Sequence, residues 1–147
     1  MISVEISFLV QRPRSEIFKI LANVEQHPKY FPELYTSRKI KHIENGTVIT
    51  EDHGHKTFKK GKIVFSEPDR VQEEFIEGNL AGTTQFFLLE EVDDGTRIRW
   101  KADVVLPEGP IRFFREKVFK SHVENELRNF LWKSAMKFKE IVEEYRE

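Results

Sequence analysis

Apolar and polar residues alternate along the first positions of the chain. Apolar side chains occupy every second position from Ile2 to Val10, and mostly polar residues stand between them. This period of two is typical of a strand with one buried face. Pro13 and Ser15 then indicate the start of a helix, with Ser15 as its predicted N-cap, and we expect that helix to end before Pro28.

Short strand-like segments separated by turn residues fill positions 36–107. Asn45-Gly46 is a strong hairpin signal, and Asp93-Asp94-Gly95 predicts a tight turn. Six strands after an initial strand and helix predict an antiparallel meander with one covered face. Further turn signals stand at Gly54, at Pro68-Asp69 and between Gly78 and Gly82.

The hydrophobic period changes after Pro110. Apolar residues recur every three or four positions, and neither Gly nor Pro interrupts the stretch from Ile111 to Glu147. This pattern predicts one amphipathic helix, roughly 50 Å long if it is unbroken. Because such a helix needs a partner for its apolar face, we expect the sheet to cover it.

Composition narrows the class of protein. A chain of 147 residues is typical of a single domain, here predicted to span residues 1–147. The net charge of -1 disfavours a nucleic-acid partner, and the lack of cysteine excludes disulfides and zinc–thiolate sites. No apolar run approaches the roughly 20 residues of a membrane helix, and the alternating N-terminus is unlike a signal peptide. We therefore expect a cytoplasmic protein without stable membrane insertion.

The order of predicted elements is similar to that of a known superfamily. The stretches 4–32 and 66–106, together with the final helix, resemble the START-related (SRPBCC) polyketide cyclases and lipid-transfer proteins, which share a fold with the birch-pollen allergens. The resemblance implies an α+β helix-grip fold. In that fold a seven-stranded curved antiparallel sheet surrounds a long C-terminal helix, and two short helices follow the first strand. It also implies a hydrophobic cavity for lipids, quinones, steroids, hormones or polyketides, but no universal catalytic motif.

Residues predicted to face the interior form a candidate ligand cavity. Glu73 and Gln85 are its polar members on the strands, His122 and Asn129 its polar members on the helix, and Phe31 is the predicted lid. The alternatives are that the apolar members only fill a core and that the polar members face solvent. The candidate residues are Phe31, Glu73, Phe75, Gln85, Phe87, Leu89, Trp100, Ala102, Val104, His122, Val123, Asn129 and Phe130.

Three further patterns have both a functional and a structural interpretation. His53-Gly54-His55 resembles a metal pair that His42 or Asp52 would extend, but a solvated turn is the favoured interpretation, and we predict no metal or cofactor. The basic run 113–120 would suit a membrane surface or simply a packed helix. The lysines at 56, 59, 60 and 62 would suit an anionic ligand or RNA, or an exposed strand.

Three functions follow from these patterns. The favoured one is binding or transport of a small hydrophobic molecule such as a lipid, quinone or polyketide. The second is a polyketide cyclase or aromatase that uses the same cavity, with Glu73 or His122 as its acid or base. The third is a protein-interaction module with a closed core. Binding without catalysis is favoured over the enzyme, and the identity of any protein partner is left open.

Overall fold

The structure is a computed structural model. It describes residues 1–32, 34–54, 57–78, 80–105 and 120–144, without the side chains of residues 54, 57 and 58. Seven strands form one sheet within these ranges. The strands are β1 (Ile2–Val10), β2 (Arg38–Glu44), β3 (Thr47–Gly54), β4 (Thr57–Ser66), β5 (Arg70–Gly78), β6 (Thr84–Val92) and β7 (Gly95–Val104).

All neighbouring strands in the sheet are antiparallel. The strand order is β1-β7-β6-β5-β4-β3-β2, so the first strand returns to lie beside the last one. Consecutive strands from β2 to β7 are therefore neighbours, as in a meander. Alternate residues of β1 are buried and exposed along its whole length, as the sequence pattern predicts.

Helical segments connect β1 to β2 and follow the sheet. They are α1 (Arg14–Ala22), a 3-10 turn (Val24–Gln26), α2 (His27–Tyr30) and α3 (Lys120–Glu144). The N-cap prediction for α1 is wrong by two residues. The Pro13 carbonyl already accepts hydrogen bonds from the backbone N–H groups of Glu16 and Ile17, so Ser15 lies inside the first turn.

Two glycine-containing turns determine where strands reverse. Asn45 and Gly46 have φ values of 47° and 77°, the left-handed pair that a two-residue hairpin turn requires. Gly95 has a φ of 152°, and a Cβ atom there would lie 2.2 Å from the Val10 carbonyl oxygen. The close approach of β7 to the end of β1 thus excludes any side chain at this position.

Helix α3 packs its apolar face on the sheet and against α2. Val123, Leu131 and Phe138 are buried members of that face. Near its C-terminal end, Arg12 donates hydrogen bonds to the carbonyls of residues 142 and 143, and the Lys139 ammonium donates to the Leu9 carbonyl at 2.6 Å. These contacts fix the helix to the end of β1.

The predicted α+β helix-grip architecture is confirmed by the sheet topology, the short helices after β1 and the long helix α3. The part of the predicted helix from 111 to 119, with most of the basic run, lies outside the described residues. None of the described helices combines the length and apolar content needed to cross a membrane.

Candidate functional site

The inner face of the sheet carries a buried ion pair on strands β2 and β3. The register of these strands places Arg38 directly opposite Asp52. The guanidinium donates two parallel hydrogen bonds to the carboxylate, from Nε to Oδ1 and from Nη2 to Oδ2, each 2.8 Å long. Both side chains are buried. Such bidentate bonds are strong, and losing one partner inside the protein is costly.

A second carboxylate, Glu73 on β5, contacts the same guanidinium. Its Oε2 accepts a hydrogen bond from Arg38 Nη2, and its Oε1 accepts bonds from the Tyr35 hydroxyl at 2.9 Å and Gln85 Nε2 at 2.6 Å. Gln85 lies opposite Glu73 in the β5–β6 register. Its own Oε1 accepts a 3.0 Å bond from Trp100 Nε1, which extends the hydrogen bonds from β2 to β7.

His27 of α2 completes these contacts from the helical side. Its Nε2 lies 2.7 Å from the Leu21 carbonyl oxygen, and its Nδ1 lies 3.0 Å from Arg38 Nη1. Because a carbonyl only accepts and a guanidinium only donates, the ring is the neutral tautomer with its hydrogen on Nε2. Burial and the Arg38 cation lower the pKa of His27 to about 3, in agreement with this assignment. We call His27, Tyr35, Arg38, Asp52, Glu73 and Gln85 the ionic network.

The charge state of the network follows from its surroundings. Burial alone would lower the pKa of Arg38, but the Glu73 and Asp52 carboxylates raise it above its usual value. Burial raises the pKa of the Tyr35 phenol well above its usual value, so the hydroxyl stays a neutral donor. One guanidinium therefore faces two carboxylates inside the protein.

Lys59 on β4 places a second positive charge at the rim of the network. Its Nζ lies 5.6 Å from the ring centroid of Tyr35 and 5.3 Å from that of Phe75, within cation–π range. The ammonium also donates a 3.4 Å hydrogen bond to the Leu34 carbonyl. The side chain is half-buried. Burial lowers the pKa of Lys59, and the Asp52 carboxylate acts in the opposite direction.

Gly61 provides space beside the network. A Cβ atom on this residue would lie 2.9 Å from Thr50 Oγ1 and 3.0 Å from Glu73 Oε2, so the two oxygens flank the same point. Thr50 is fully buried, and its hydroxyl has no hydrogen-bond partner among the residues that the structure describes. The site therefore contains an unsatisfied buried hydroxyl next to a buried carboxylate.

An aromatic cluster of Phe31, Phe87, Trp100 and Phe138 lies beside the network. Phe31 stacks on Phe138 with ring centroids 4.8 Å apart and rings nearly parallel. Its centroid is also 5.8 Å from Phe87 and 5.7 Å from Trp100. The ring of Phe31 thus occupies the centre of the space between sheet and helix.

A cavity of about 10 Å³ lies between the ionic network and the aromatic cluster. This volume is at the lower limit for a single water molecule. It is lined by residues of both groups, including Phe31, Arg38, Glu73, Gln85 and Phe87. Larger depressions of about 460 Å³ and 210 Å³ are formed by the turns after β1 and β6, which contribute nothing to the network.

Comparison with known proteins places this geometry in a structural context. No protein-family model and no curated protein matches the sequence. Among solved structures, a START superfamily protein from Mycobacterium smegmatis matches with a TM-score of 0.70 at 16% identity, over 95% of this chain and 98% of that one. The Zhui aromatase/cyclase from a Streptomyces species matches with a TM-score of 0.70 at 14% identity, over 92% and 87%.

A protein from Thermus thermophilus matches with a TM-score of 0.73 at 13% identity, over 92% of this chain and 96% of that one. The chain has a START-like (SRPBCC) fold. At these levels of identity the likeness establishes the fold alone. The ionic network and the aromatic cluster both lie between the sheet and the helical segments.

The START-like fold brings most of the predicted cavity residues into this interior. Val104 is half-buried and packs against the core. Phe31, the predicted lid, has its ring directed inward by the turn after α2 and is only 2% exposed. The predicted residues that are buried are Phe31, Glu73, Phe75, Gln85, Phe87, Leu89, Trp100, Ala102 and Val123.

The polar residues predicted on the helix do not reach the interior. His122 is exposed, and its Nε2 lies 2.7 Å from the carboxylate of Glu126 one turn later. Asn129 is also exposed, and 36% of Phe130 is accessible to solvent. These residues lie on the outward side of α3, because the apolar face is centred on positions 131, 135, 138 and 142.

The described residues of the predicted metal and lysine patterns do not come together in one site. In the part of the chain that the structure describes, no group of three or more His, Asp or Glu side chains could hold a metal ion. His55 and Lys56 lie outside the described residues. Lys62 is exposed on the outer face, whereas Lys59 reaches the rim of the network. A single run of lysines therefore contributes to two different surfaces.

Several residues of the site are missing from the sequence prediction. Arg38, Asp52 and Thr50 occupy inner positions of β2 and β3, and His27 and Tyr35 lie in the connection between α1 and β2. The one available signal is the alternation of Val48, Thr50 and Asp52, which places polar residues on the face that Val48 shares. The pairing of Arg38 with both carboxylates depends on register and is invisible along the sequence.

Proposed function

We propose that the protein binds a small, mainly hydrophobic molecule between the sheet and helix α3. The apolar body of the ligand would lie against the aromatic cluster, and a polar group would approach the ionic network. The observation that carries this proposal is the position of the small cavity, which lies where buried hydrogen-bonding groups and aromatic rings meet. Ligand sites in proteins combine the same two components.

The energetics of the network support a functional role. Burying charges is expensive, and replacing a buried ion network by apolar side chains is often neutral or stabilising. If the interior served only to stabilise the fold, the buried charges of Arg38, Asp52 and Glu73 would contribute little to stability. Perturbed and buried titratable groups at the edge of a cavity are typical of functional sites.

Ligand entry would require Phe31 to leave the interior. This residue lies in the connection between α2 and β2, outside the sheet. Among the described residues, the Phe31 backbone forms only local hydrogen bonds, with His27, Leu34 and Tyr35. Moving this segment would vacate the volume of a phenyl ring next to the existing cavity. The closed structure and a ligand-bound one would then differ mainly in this connection.

A protein-interaction module is the second candidate function. It is favoured by the small volume of the interior cavity, which is about 10 Å³ among the described residues. Catalysis has less support, since both oxygens of Glu73 accept hydrogen bonds and both ring nitrogens of His27 are engaged.

Contact quenching of tryptophan fluorescence tests ligand binding at this position. The chain has two tryptophans. Trp132→Phe therefore leaves Trp100 as the reporter of the interior, and Trp100→Phe leaves Trp132 as the control on the surface of α3. A long-chain bromoalkyl alcohol, which quenches on contact, should saturably quench the Trp132→Phe variant. It should quench the exposed Trp132 of the Trp100→Phe variant only weakly and without saturation.

Circular dichroism establishes that both variants fold. Displacement by unlabelled fatty alcohols, isoprenoid quinones and sterols then defines the ligand class. If folded Trp132→Phe protein shows no saturable quenching with any apolar probe, the interior does not open and the interaction module becomes the better proposal.

A further inference from the structure

The charges of the ionic network do not balance within the buried interior. Arg38 is the cation, and Asp52 and Glu73 are the carboxylates. His27 cannot compensate, because its ring is neutral and holds its only hydrogen against the Leu21 carbonyl. Among the described residues, one negative charge therefore remains without a fully buried positive partner.

Lys59 is the cation that faces this charge from the rim. Its ammonium lies over the rings of Tyr35 and Phe75, and its one hydrogen bond in the described structure, to Leu34, is 3.4 Å long. A long flexible side chain held by one weak bond is easily displaced. The structure thus already contains an ammonium group beside aromatic rings and carboxylates.

An unused hydroxyl group lies at the same end of the interior. Among the described residues, Thr50 Oγ1 is buried without a hydrogen-bond partner, and both it and Glu73 Oε2 lie beside Gly61. A buried hydroxyl that gains a donor is more stable than an orphaned one. A ligand N–H group that reaches this hydroxyl would therefore gain a favourable hydrogen bond.

An anionic group would find less favourable contacts here. Arg38 already donates to Asp52, Glu73 and His27, which engages four of its five N–H groups. A carboxylate or phosphate would add a negative charge beside Asp52 and Glu73. We therefore expect fatty acids and phospholipid headgroups to bind less tightly here than neutral or cationic ligands.

We infer that the polar end of the interior binds a protonated organic amine attached to a hydrophobic body, with its ammonium group replacing that of Lys59. The inference rests on the proposed function, because it assigns the polar group of the same ligand. Tyr35 and Phe75 supply the aromatic faces, and Glu73 and Thr50 supply the acceptors.

Three probes with one ring system separate this inference from the proposed function. They are 1-naphthylmethylamine, 1-naphthalenemethanol and 1-naphthoate, titrated at pH 7 by naphthalene fluorescence and calorimetry. We expect the amine to bind roughly tenfold tighter than the alcohol, as a cation–π contact with partial desolvation allows, and the carboxylate to bind most weakly.

Replacing the lysine tests the position of the ammonium. Lys59→Met should raise the affinity for the amine several-fold, lower that for the carboxylate and leave that for the alcohol within twofold. Lys62→Met is the matched control on the outer face of the same strand, and it should change none of the three affinities.

Thr50→Val tests the acceptor without removing any bond of the free protein. The unfolding midpoint should not fall, because the hydroxyl has no partner, whereas the affinity for the amine should fall several-fold. Three outcomes would overturn the inference and leave the proposed function intact. They are equal affinities for all three probes, a preference for the carboxylate, and an amine affinity that is unchanged in both Lys59→Met and Thr50→Val. Failure of all three probes to bind, together with no saturable quenching of the Trp132→Phe variant by any apolar probe, would reject the proposed function itself.

Discussion

Arg38 holds two carboxylates in a place from which solvent is excluded. Its side chain donates to both Asp52 and Glu73, and none of the three side chains is more than 5% exposed. The attraction between these groups repays the cost of their burial only while the set is complete. Removing a single member should therefore be far worse than replacing all of them.

Substitutions at these three positions test that asymmetry. Arg38→Met leaves two carboxylates buried together and should lower the free energy of unfolding by about 3–5 kcal/mol. The triple variant Arg38→Met, Asp52→Leu, Glu73→Met should recover most of that loss. Urea denaturation followed by circular dichroism measures both. A triple variant no more stable than Arg38→Met would mean that the network is needed for the fold itself.

His27 makes stability depend on pH through its lowered pKa. The pKa is about 3 in the folded protein against 6.5 for an ordinary histidine. Between these values the unfolded chain binds a proton that the native protein excludes, so stability falls as the pH falls. We expect a loss on the order of 1–2 kcal/mol between pH 8 and pH 5.5 from this residue.

The control for this prediction is His27→Gln. Its amide can donate to Leu21 and accept from Arg38, as the neutral imidazole does, and it does not titrate. Urea midpoints at pH 8 and pH 5.5 should therefore differ less in His27→Gln than in the unchanged protein, since the other histidines are present in both. An identical pH dependence in the two proteins would argue against a neutral buried His27.

At the scale of elements, helix α3 presents two different faces. Phe138 is 1% exposed and stacks on Phe31, whereas Phe130 is 36% exposed. The two residues are eight positions apart, which is two turns plus about 80° of rotation for a helix of 3.6 residues per turn. That rotation moves a residue from the buried face to its margin.

A pair of alanine substitutions measures the difference between these faces. Phe138→Ala should lower the free energy of unfolding by about 3–5 kcal/mol, because it removes a fully buried ring. Phe130→Ala should cost less than about 1 kcal/mol, in the range of surface substitutions. Chemical denaturation of both variants gives the comparison. Similar losses of unfolding free energy in the two variants would mean that Phe130 is buried between the helix and the sheet, as the sequence pattern predicted.

At the scale of the whole molecule, most of the fold could be predicted from the periodicity of hydrophobic residues along the sequence. The period of two in β1 and β7, the turn signals at Asn45-Gly46 and Gly95, and the period of three to four in α3 correspond to elements of the structure. Each of these signals is local, since it depends on residues close together in sequence.

The candidate site could be predicted only in part, because its contacts join residues that are far apart in sequence. Glu73 and Gln85 follow from alternation within a single strand. Arg38 reaches Asp52 only through the β2–β3 register, which contains an irregularity between Ile40 and His42. The inward direction of Phe31 depends on the turn after α2, and no periodic pattern describes a turn of that kind.

The proposed opening of the interior makes a final prediction for Phe31. If its ring occupies the ligand's space, binding requires the α2–β2 connection to move, and the apparent affinity is reduced by the fraction of molecules that are open. Phe31→Ala should lower the free energy of unfolding by about 3–5 kcal/mol. It should also raise the affinity for 1-naphthalenemethanol by roughly tenfold or more, since the closed state no longer excludes the probe.

Phe138→Ala is the matched control for that prediction. It removes a ring of the same size from the same stack, but Phe138 does not line the small cavity beside the ionic network. Its loss of stability should be similar and its gain in affinity much smaller. Stability is measured by urea denaturation and affinity by naphthalene fluorescence. A Phe31→Ala variant that is folded and binds no tighter than Phe138→Ala would show that the Phe31 ring does not control entry. If Phe31→Ala is less stable than the unchanged protein but binds the probe more tightly, the Phe31 ring occupies the space that the ligand takes.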